Sequence, residues 1–386
     1  MEKVRFGIIG EGIQGSYYAT LFAGGKITEG EMTCAADIDE DKMKAFSEKY
    51  PSIPVYKDYK EMIKSGLCDA VLVVTPHYFH PEISEYALKK GIHVICDKPA
   101  GVYAKQVKEM NAVAKDSDAL FGMMFCIRTN CVYRKMREII QGGGIGDLVR
   151  VNWIITDWYR TQSYYDGGSW RATWKGEGGG VLINQCPHQL DLLLWITGET
   201  PVSVRGFCQY GKWHDIEVED EVTAFLEYGS GATGVFITTT GEAPGDNRLA
   251  ISGTKGKLLC EGNKLVWYKN AEDVSEHLKT CPNAYDKPQC ERIEVETDGS
   301  NEQHAGIINN FAAAVLGKEE LFVSGEEGLL SVELMNAIEY SGWHGGEKVS
   351  FPVNEKEYLS LLEEKKKTSV VKAAVKATVS DTSRSF

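Results

Sequence analysis

Val4-Arg5-Phe6-Gly7-Ile8-Ile9-Gly10-Glu11-Gly12-Ile13-Gln14-Gly15 decides the fold. A mostly apolar run stops at Gly10, and Gln14 to Ala23 then reads as helix. The glycines fall as G-x-G-x-x-G directly after a strand and at the opening of a helix, the context a dinucleotide site requires. Gly10 permits the tight turn, Gly12 lets the backbone approach a diphosphate, and Gly15 lets helix and strand pack closely. The helix N-terminus offers N–H groups and a positive dipole end to the phosphates. A glycine-rich turn without a ligand is the competing reading. Asp37 separates the two. It ends the next apolar run, Met32 to Ala36, 22 residues after Gly15. An acid there accepts from both hydroxyls of an adenosine ribose and repels a 2′-phosphate. Ile38 follows, and no arginine intervenes before Arg128. The pattern predicts a site at Gly10, Gly12, Ile13, Gln14, Gly15, Asp37 and Ile38 that takes NAD rather than NADP.

Outward from this turn the same rhythm continues. Asp69 to Thr75 and His93 to Cys96 have the apolar, β-branched density of strands buried on both faces. Phe79 to Lys90 reads as a helix stopped by Gly91, and Leu120 to Ile127 as a further strand. Strands alternating with helices predict an α/β fold, a doubly wound parallel Rossmann sheet over residues 1–127. Beyond it, Leu148 to Asp157, Val202 to Tyr210, Val222 to Tyr228, Ala232 to Thr240, Arg248 to Gly253 and Lys257 to Leu259 read as successive strands. Helices are expected at Cys131 to Gln141, His188 to Ile196, Ile307 to Leu316 and Glu326 to Ser341. This predicts a C-terminal α+β domain on an open, mainly antiparallel sheet over residues 128–362, with 363–386 as a loosely held tail. At 386 residues the chain exceeds what one core serves, which agrees with two domains.

The net charge of −13 argues against a nucleic-acid groove, which needs clustered Lys and Arg. No apolar run reaches the ~18 residues of a membrane span. The strand-like run begins right after Met1-Glu2-Lys3, so no signal peptide is expected. Ten scattered cysteines, none as C-x-x-C and several in apolar runs, predict reduced residues in a cytoplasmic protein.

Two stretches close the next buried strands: Thr75-Pro76-His77-Tyr78-Phe79-His80 and Asp97-Lys98-Pro99-Ala100-Gly101. Carboxyl ends of parallel strands are where such sheets bind ligands. A lysine ending a buried strand points into a cleft, where burial would lower its pKa; a lysine snorkelling to water is the bland alternative. Farther on, Glu177-Gly178-Gly179-Gly180 leads into Asn184, His188 and Asp191. Their spacings of four and three would align them on one helical face, although Pro187 requires that the helix start there or that the backbone adapt. Alone, His188 would more often be a satisfied buried histidine than a catalyst.

Taken in order, these pieces resemble the Gfo/Idh/MocA oxidoreductases: the glycine turn, Thr75-Pro76 with His80, Asp97-Lys98-Pro99, Gly178 to Asp191, Asn247 to Gly256 and Phe351-Pro352. The resemblance covers residues 3–353 and implies a Rossmann domain, bound NAD, and an α/β domain whose sheet mediates homo-oligomers, dimers or tetramers or larger. It implies that Lys98 and His188 flank the reacting carbon, that Trp170 and Arg171 lie near the nicotinamide, and that Thr75, Pro76, His77, His80 and Asp97 line the cofactor side. Two departures stand out. Asp97 replaces the usual glutamate before Lys-Pro. Asn184 replaces the acid that commonly stands four residues before the histidine; an asparagine can orient the ring but supplies no charge. Lys98 or Asp191 would then share the proton with His188.

The expected chemistry is hydride removal from a secondary hydroxyl, with His188 as base, Lys98 donating to the developing oxyanion, and Asn184 and Asp191 holding neighbouring hydroxyls. Seven aromatics between Trp153 and Trp174 (Trp153, Trp158, Tyr159, Tyr164, Tyr165, Trp170, Trp174) interleave with polar residues, which suits a sugar, glycoside or polyol; packing against the sheet or a subunit contact is the alternative. Lys98, Arg128, Asp157, Tyr159, Tyr165, Asn184 and His188 are the candidate substrate contacts. The stretch resembles members that oxidise glycosides at the 3-position, with inositol dehydrogenases and anhydrosugar reductases as close alternatives. A glycoside hydrolase working by transient oxidation and a non-catalytic NAD-binding regulator compete; a pure sensor would need neither Lys98 nor His188. His214 to Glu221 reads as a solvated acidic edge rather than a metal site.

Overall fold

A computed structural model describes residues 3–370. The chain divides into two compact units, Met1–Thr129 with Glu302–Val332, and Asn130–Asn301 with Glu333–Phe386.

The first unit runs β1 (Val4–Ile9), α1 (Ile13–Ala23), β2 (Gly30–Ala36), α2 (Glu40–Lys49), β3 (Val55–Tyr56), α3 (Tyr59–Lys64), β4 (Ala70–Val73), α4 (Phe79–Leu88), β5 (His93–Cys96), α5 (Ala104–Lys115) and β6 (Phe121–Met123). All six strands pair in parallel in the order β3-β2-β1-β4-β5-β6. Phe6, Ile8, Val71, Leu72, Val94 and Ile95 are buried, as strands covered on both faces must be. The order reverses between β1 and β4, the crevice where doubly wound sheets bind ligands. The expected strand at Leu120 to Ile127 is shorter: it ends at Met123, and Cys126–Thr129 turns as a 3₁₀-helix.

In the second unit α6 (Cys131–Gln141), β7 (Leu148–Ile155), α7 (Gln162–Asp166), α8 (Val181–Asn184) and α9 (Pro187–Thr197) come first. Then follow β8 (Pro201–Tyr210), β9 (Glu219–Tyr228), β10 (Thr233–Thr239), β11 (Asn247–Gly253), β12 (Gly256–Glu261), β13 (Lys264–Asn270), α10 (Val274–Thr280) and β14 (Cys290–Val295). Among the described residues nine strands, including β15 (Val349–Ser350), order as β14-β13-β12-β11-β7-β10-β9-β8-β15, and of these neighbours only β7 and β10 run parallel. Trp153 is fully buried on β7, between Tyr133 and Phe236.

Three expectations need correction. Gln303–Val315 (α11) belongs to the first unit, where Phe311 packs against Phe6, although sequence reading gave residues 128–362 wholly to the second domain. Chain order hides a segment that returns to an earlier core. The strands β13 and β14 were not expected; the charged Glu291, Arg292 and Glu294 mask β14, an edge strand with little burial. After α12 (Gly328–Trp343), α13 (Glu355–Thr368) occupies the start of the expected loose tail. Its Lys365 ammonium lies 5.0–5.5 Å from the ring centroids of Trp174, Tyr210 and Trp343, a cation–π cage. Ser369 and Val370 bond to Glu217. The remainder of the expected tail, 371–386, lies outside the described residues. Among the described residues no helix is long and apolar enough to cross a membrane. The ten cysteines, all among the described residues, form no disulfide.

Candidate active site

In the first unit the glycine turn has the geometry a diphosphate requires. Gly10 has φ +104°, and a Cβ there would stand 2.6 Å from the Val74 carbonyl oxygen. At Gly15 a Cβ would overlap the Gly10 carbonyl oxygen, so helix and strand close only around glycine. A Cβ on Gly12, the N-cap of α1, meets nothing within 4 Å, which leaves space over the helix N-terminus. Ile13 is exposed and Gln14 half-buried beside it. Asp37 follows β2 and accepts from the backbone N–H of Glu11 at 2.7 Å and of Asp39 at 2.9 Å. Its neighbour Ile38 is 83% exposed, an apolar side chain presented to solvent. No arginine follows Ile38 before Arg128, but a lysine does: Lys42, on the first turn of α2, places its ammonium 3.8 Å from Asp37 Oδ2. Glu11, the unremarked second residue of the turn, is buried with neither carboxylate oxygen hydrogen-bonded among the described residues. Burial, reinforced by Asp37, pushes its carboxyl up to about 8.

The loops after β4 and β5 are tied together by His80. Its ring nitrogens face the Pro99 carbonyl at 2.8 Å and the Thr75 carbonyl at 2.6 Å, and burial lowers its pKa. The ring is buried and acts as a strut between the two loops. Pro76 is half-buried and His77 buried in the same turn. Thr75 Oγ1 is buried and has no hydrogen-bond partner among the described residues. Asp97 is buried, accepting from Tyr18 Oη at 3.1 Å and from the Lys98 backbone N–H at 2.7 Å. Lys98, two residues beyond β5, is half-buried. Arg128 is buried against Glu327, 2.6 Å away, with its guanidinium over Phe125. That ion pair occupies the group expected to meet substrate.

In the second unit Pro187 is the first residue of α9, the N1 position where proline is tolerated. Asn184 therefore ends a separate short helix, α8, and only His188 and Asp191 share a helix face; both are buried. The turn that launches α8 is held from below by Glu219 on β9, whose carboxylate accepts from Gly180 N–H at 2.8–2.9 Å and Leu182 N–H at 3.0 Å. Glu219 is 1% exposed and Asp220 is 0% exposed, so the expected solvated acidic edge is buried. β9 lies inside the sheet, and Asp220 accepts the backbone N–H groups of Lys212, Trp213 and His214. Beside Glu219 is Glu339 on α12, whose carboxyl burial pushes up to about 7, offset in part by the Tyr210 hydroxyl and the Lys365 ammonium. Burial and Glu339 raise Glu219 well above the usual carboxylate range.

The aromatic stretch divides. Trp153, Tyr165 and Trp174 are core residues, with Tyr165 Oη donating to Thr240 at 2.8 Å. Trp158, Tyr164 and Trp170 are half-buried, while Tyr159 is exposed. Asp157 is exposed overall, though partial burial of its carboxyl raises its pKa. Arg171 stacks its guanidinium 4.6 Å from the Tyr164 centroid and 4.9 Å from that of Trp170. The candidate site residues omitted Glu177, Tyr164 and Gln185, which all bond to Asn184 or to its partners. An acid directly before a glycine run was the visible signal for Glu177.

These two units are an oxidoreductase. The oxidoreductase family with an NAD-binding Rossmann fold matches residues 4–125, and the GFO/IDH/MocA C-terminal domain matches residues 133–259. The chain belongs to the GFO/IDH/MocA family. It is 28% identical to trans-1,2-dihydrobenzene-1,2-diol dehydrogenase of Bos taurus, over 66% of this chain and 72% of that one. It is 26% identical to myo-inositol 2-dehydrogenase of Thermotoga maritima, over 67% and 75%. Among solved structures, the WlbA dehydrogenase of Chromobacterium violaceum, in complex with NADH and UDP-GlcNAcA, superposes with TM-score 0.77 at 27% identity, covering 92% of this chain and 97% of that one.

Proposed function

We propose that this protein is an NAD-dependent dehydrogenase that removes a hydride from a secondary hydroxyl of a sugar, glycoside or polyol. The observation that carries the reading is the first turn of α9, where His188 and Asp191 stand on one face directly after Asn184. That turn follows the glycine run in the domain matched by the family. The dinucleotide fits the first unit: the turn at Gly10, Gly12 and Gly15 leaves backbone N–H groups for the diphosphate, and Asp37 would hold the adenosine ribose. Thr75 Oγ1 offers a buried polar atom that the described residues leave unused. NAD, when bound, supplies the hydride acceptor.

The protein's own groups do the rest. His188 takes the hydroxyl proton as charge develops on the oxygen. Asn184 and Asp191 orient neighbouring hydroxyls, and Trp170 with Arg171 presents a flat face to the ring. Relatives named for diols, inositols and D-xylose support a polyol-like substrate, and the UDP-GlcNAcA complex supports a glycoside. Lys42 favours a second reading of the cofactor, because its ammonium offsets Asp37 and would tolerate a 2′-phosphate; the D-xylose relative from Haloarcula marismortui is named for NADP. The test is NADH formation, followed by its near-ultraviolet absorbance, against inositols, free hexoses and aryl glucosides, each with NAD and with NADP. Turnover of at least one class with NAD preferred supports the proposal. No turnover of any class, alongside tight binding of a glycan, would replace it with a binding module.

A further inference from the structure

Within the second unit, hydrogen bonds close a ring around Asn184. Arg171 Nη1 donates to Tyr164 Oη at 2.7 Å, and Tyr164 Oη donates to Asn184 Oδ1 at 3.3 Å. Asn184 Nδ2 donates to Glu177 Oε1, and Glu177 Oε2 accepts the Ala172 backbone N–H at 2.5 Å. Ala172 follows Arg171, so the ring returns to its start. Glu177 is 2% exposed, and Ala172 takes a left-handed φ of +52° to point its N–H at it. A carboxylate only accepts, so Asn184 must turn its NH₂ toward Glu177 and its oxygen the other way. There the oxygen accepts from Tyr164 and from Gln185 Nε2 at 3.2 Å. The Asn184 oxygen is thus turned toward Tyr164 and Gln185, while the negative charge sits on the buried Glu177 beyond the amide.

We propose that Glu177 is a positioning residue of the reaction: it supplies the carboxylate that position 184 lacks, fixes which way the Asn184 amide is turned, and latches the Trp170–Arg171–Ala172 segment onto the end of α8, directly before the catalytic helix. This rests on the dehydrogenase reading above. It explains why the amide at 184 is compatible with chemistry at His188, and it makes the two positions a unit.

The pair can be exchanged. Glu177→Gln leaves two amides, each free to flip, and lowers kcat about tenfold with a smaller change in KM. Asn184→Asp sets two buried carboxylates against each other; they must share a proton, so kcat falls as pH rises past neutrality. The double variant, Glu177→Gln with Asn184→Asp, again holds one carboxylate and one amide. It should return kcat to within about threefold of wild type and restore the flat upper limb of the pH profile. If the double variant shows the product of the two single losses, or if Glu177→Gln keeps full kcat, the proposal is overturned. Restored melting temperature without restored kcat would make the ring merely structural and overturn it equally. Failure of the underlying reading looks different: the wild type then turns over no polyol or glycoside, and His188→Ala changes nothing.

Discussion

Glu339→Gln should stabilise this protein, and only above acidic pH. Glu339 is a buried carboxyl on α12 whose Oε1 has no hydrogen-bond partner among the described residues, with the Glu219 carboxyl as a neighbour. Burial pushes it from 4.5 to about 7. The folded protein therefore holds this proton more tightly than the unfolded chain does. The cost of ionisation is absent below pH 4.5, grows as pH rises, and is complete above pH 7. A displacement of that size corresponds to about 3 kcal/mol. Glutamine keeps the shape and never ionises, so at pH 8 it should recover as much as about 3 kcal/mol, a rise in Tm of roughly 6–12 °C for a unit of this size. At pH 4.5 the two proteins should melt together. Differential scanning fluorimetry across pH 4.5–8.5 reads the whole curve. A gap that does not depend on pH, or a variant less stable at pH 8, would refute the reasoning and mean that Glu339 is ionised and paired in the fold. The result bears on function, because Glu219 holds the turn that launches α8.

Two further outcomes test other parts of the account. Gly15→Ala places a methyl on the Gly10 carbonyl and should weaken NADH binding, read by fluorescence titration, by at least about tenfold, or about 1.4 kcal/mol; unchanged affinity would remove the glycine turn from the cofactor site. Arg128→Ala breaks the charge-assisted bond to Glu327 and should cost roughly 1.5–3 kcal/mol of stability while leaving KM for substrate unchanged; a raised KM with an unchanged Tm would return Arg128 to the substrate contacts.

Local signals were legible and long-range ones were not. The turn from Gly10 to Gly15, Asp37 and the parallel strands follow from patterns within some thirty residues, where turn chemistry and apolar runs act directly. The core sheet of the second unit was equally readable, because apolar runs between turn residues mark its strands, with alternating burial along β9, β10 and β12. Three things depend on partners distant in the chain. Phe311 joins Phe6 in the first unit's core, and nothing near residue 311 announces it. Glu219 and Asp220 look like surface acids until β9 is known to lie between β10 and β8. Arg128 and Tyr165 read as substrate contacts from the sequence, and their tertiary partners, Glu327 and Thr240, lie too far along the chain to be read beside them. Pro187 was the local clue that split the expected helix, and it placed the start of α9 correctly as one of two alternatives.

The central claim is that the imidazole on the first turn of α9 moves the proton in a reaction whose electrons go to NAD. Purified wild type and His188→Ala, both shown by titration to bind NADH, are compared for kcat on whichever polyol or glycoside the wild type oxidises. The expected outcome is a loss of about 10²–10⁴-fold in kcat with little change in NADH affinity. Near-full turnover by a folded, NADH-bound His188→Ala protein would contradict it.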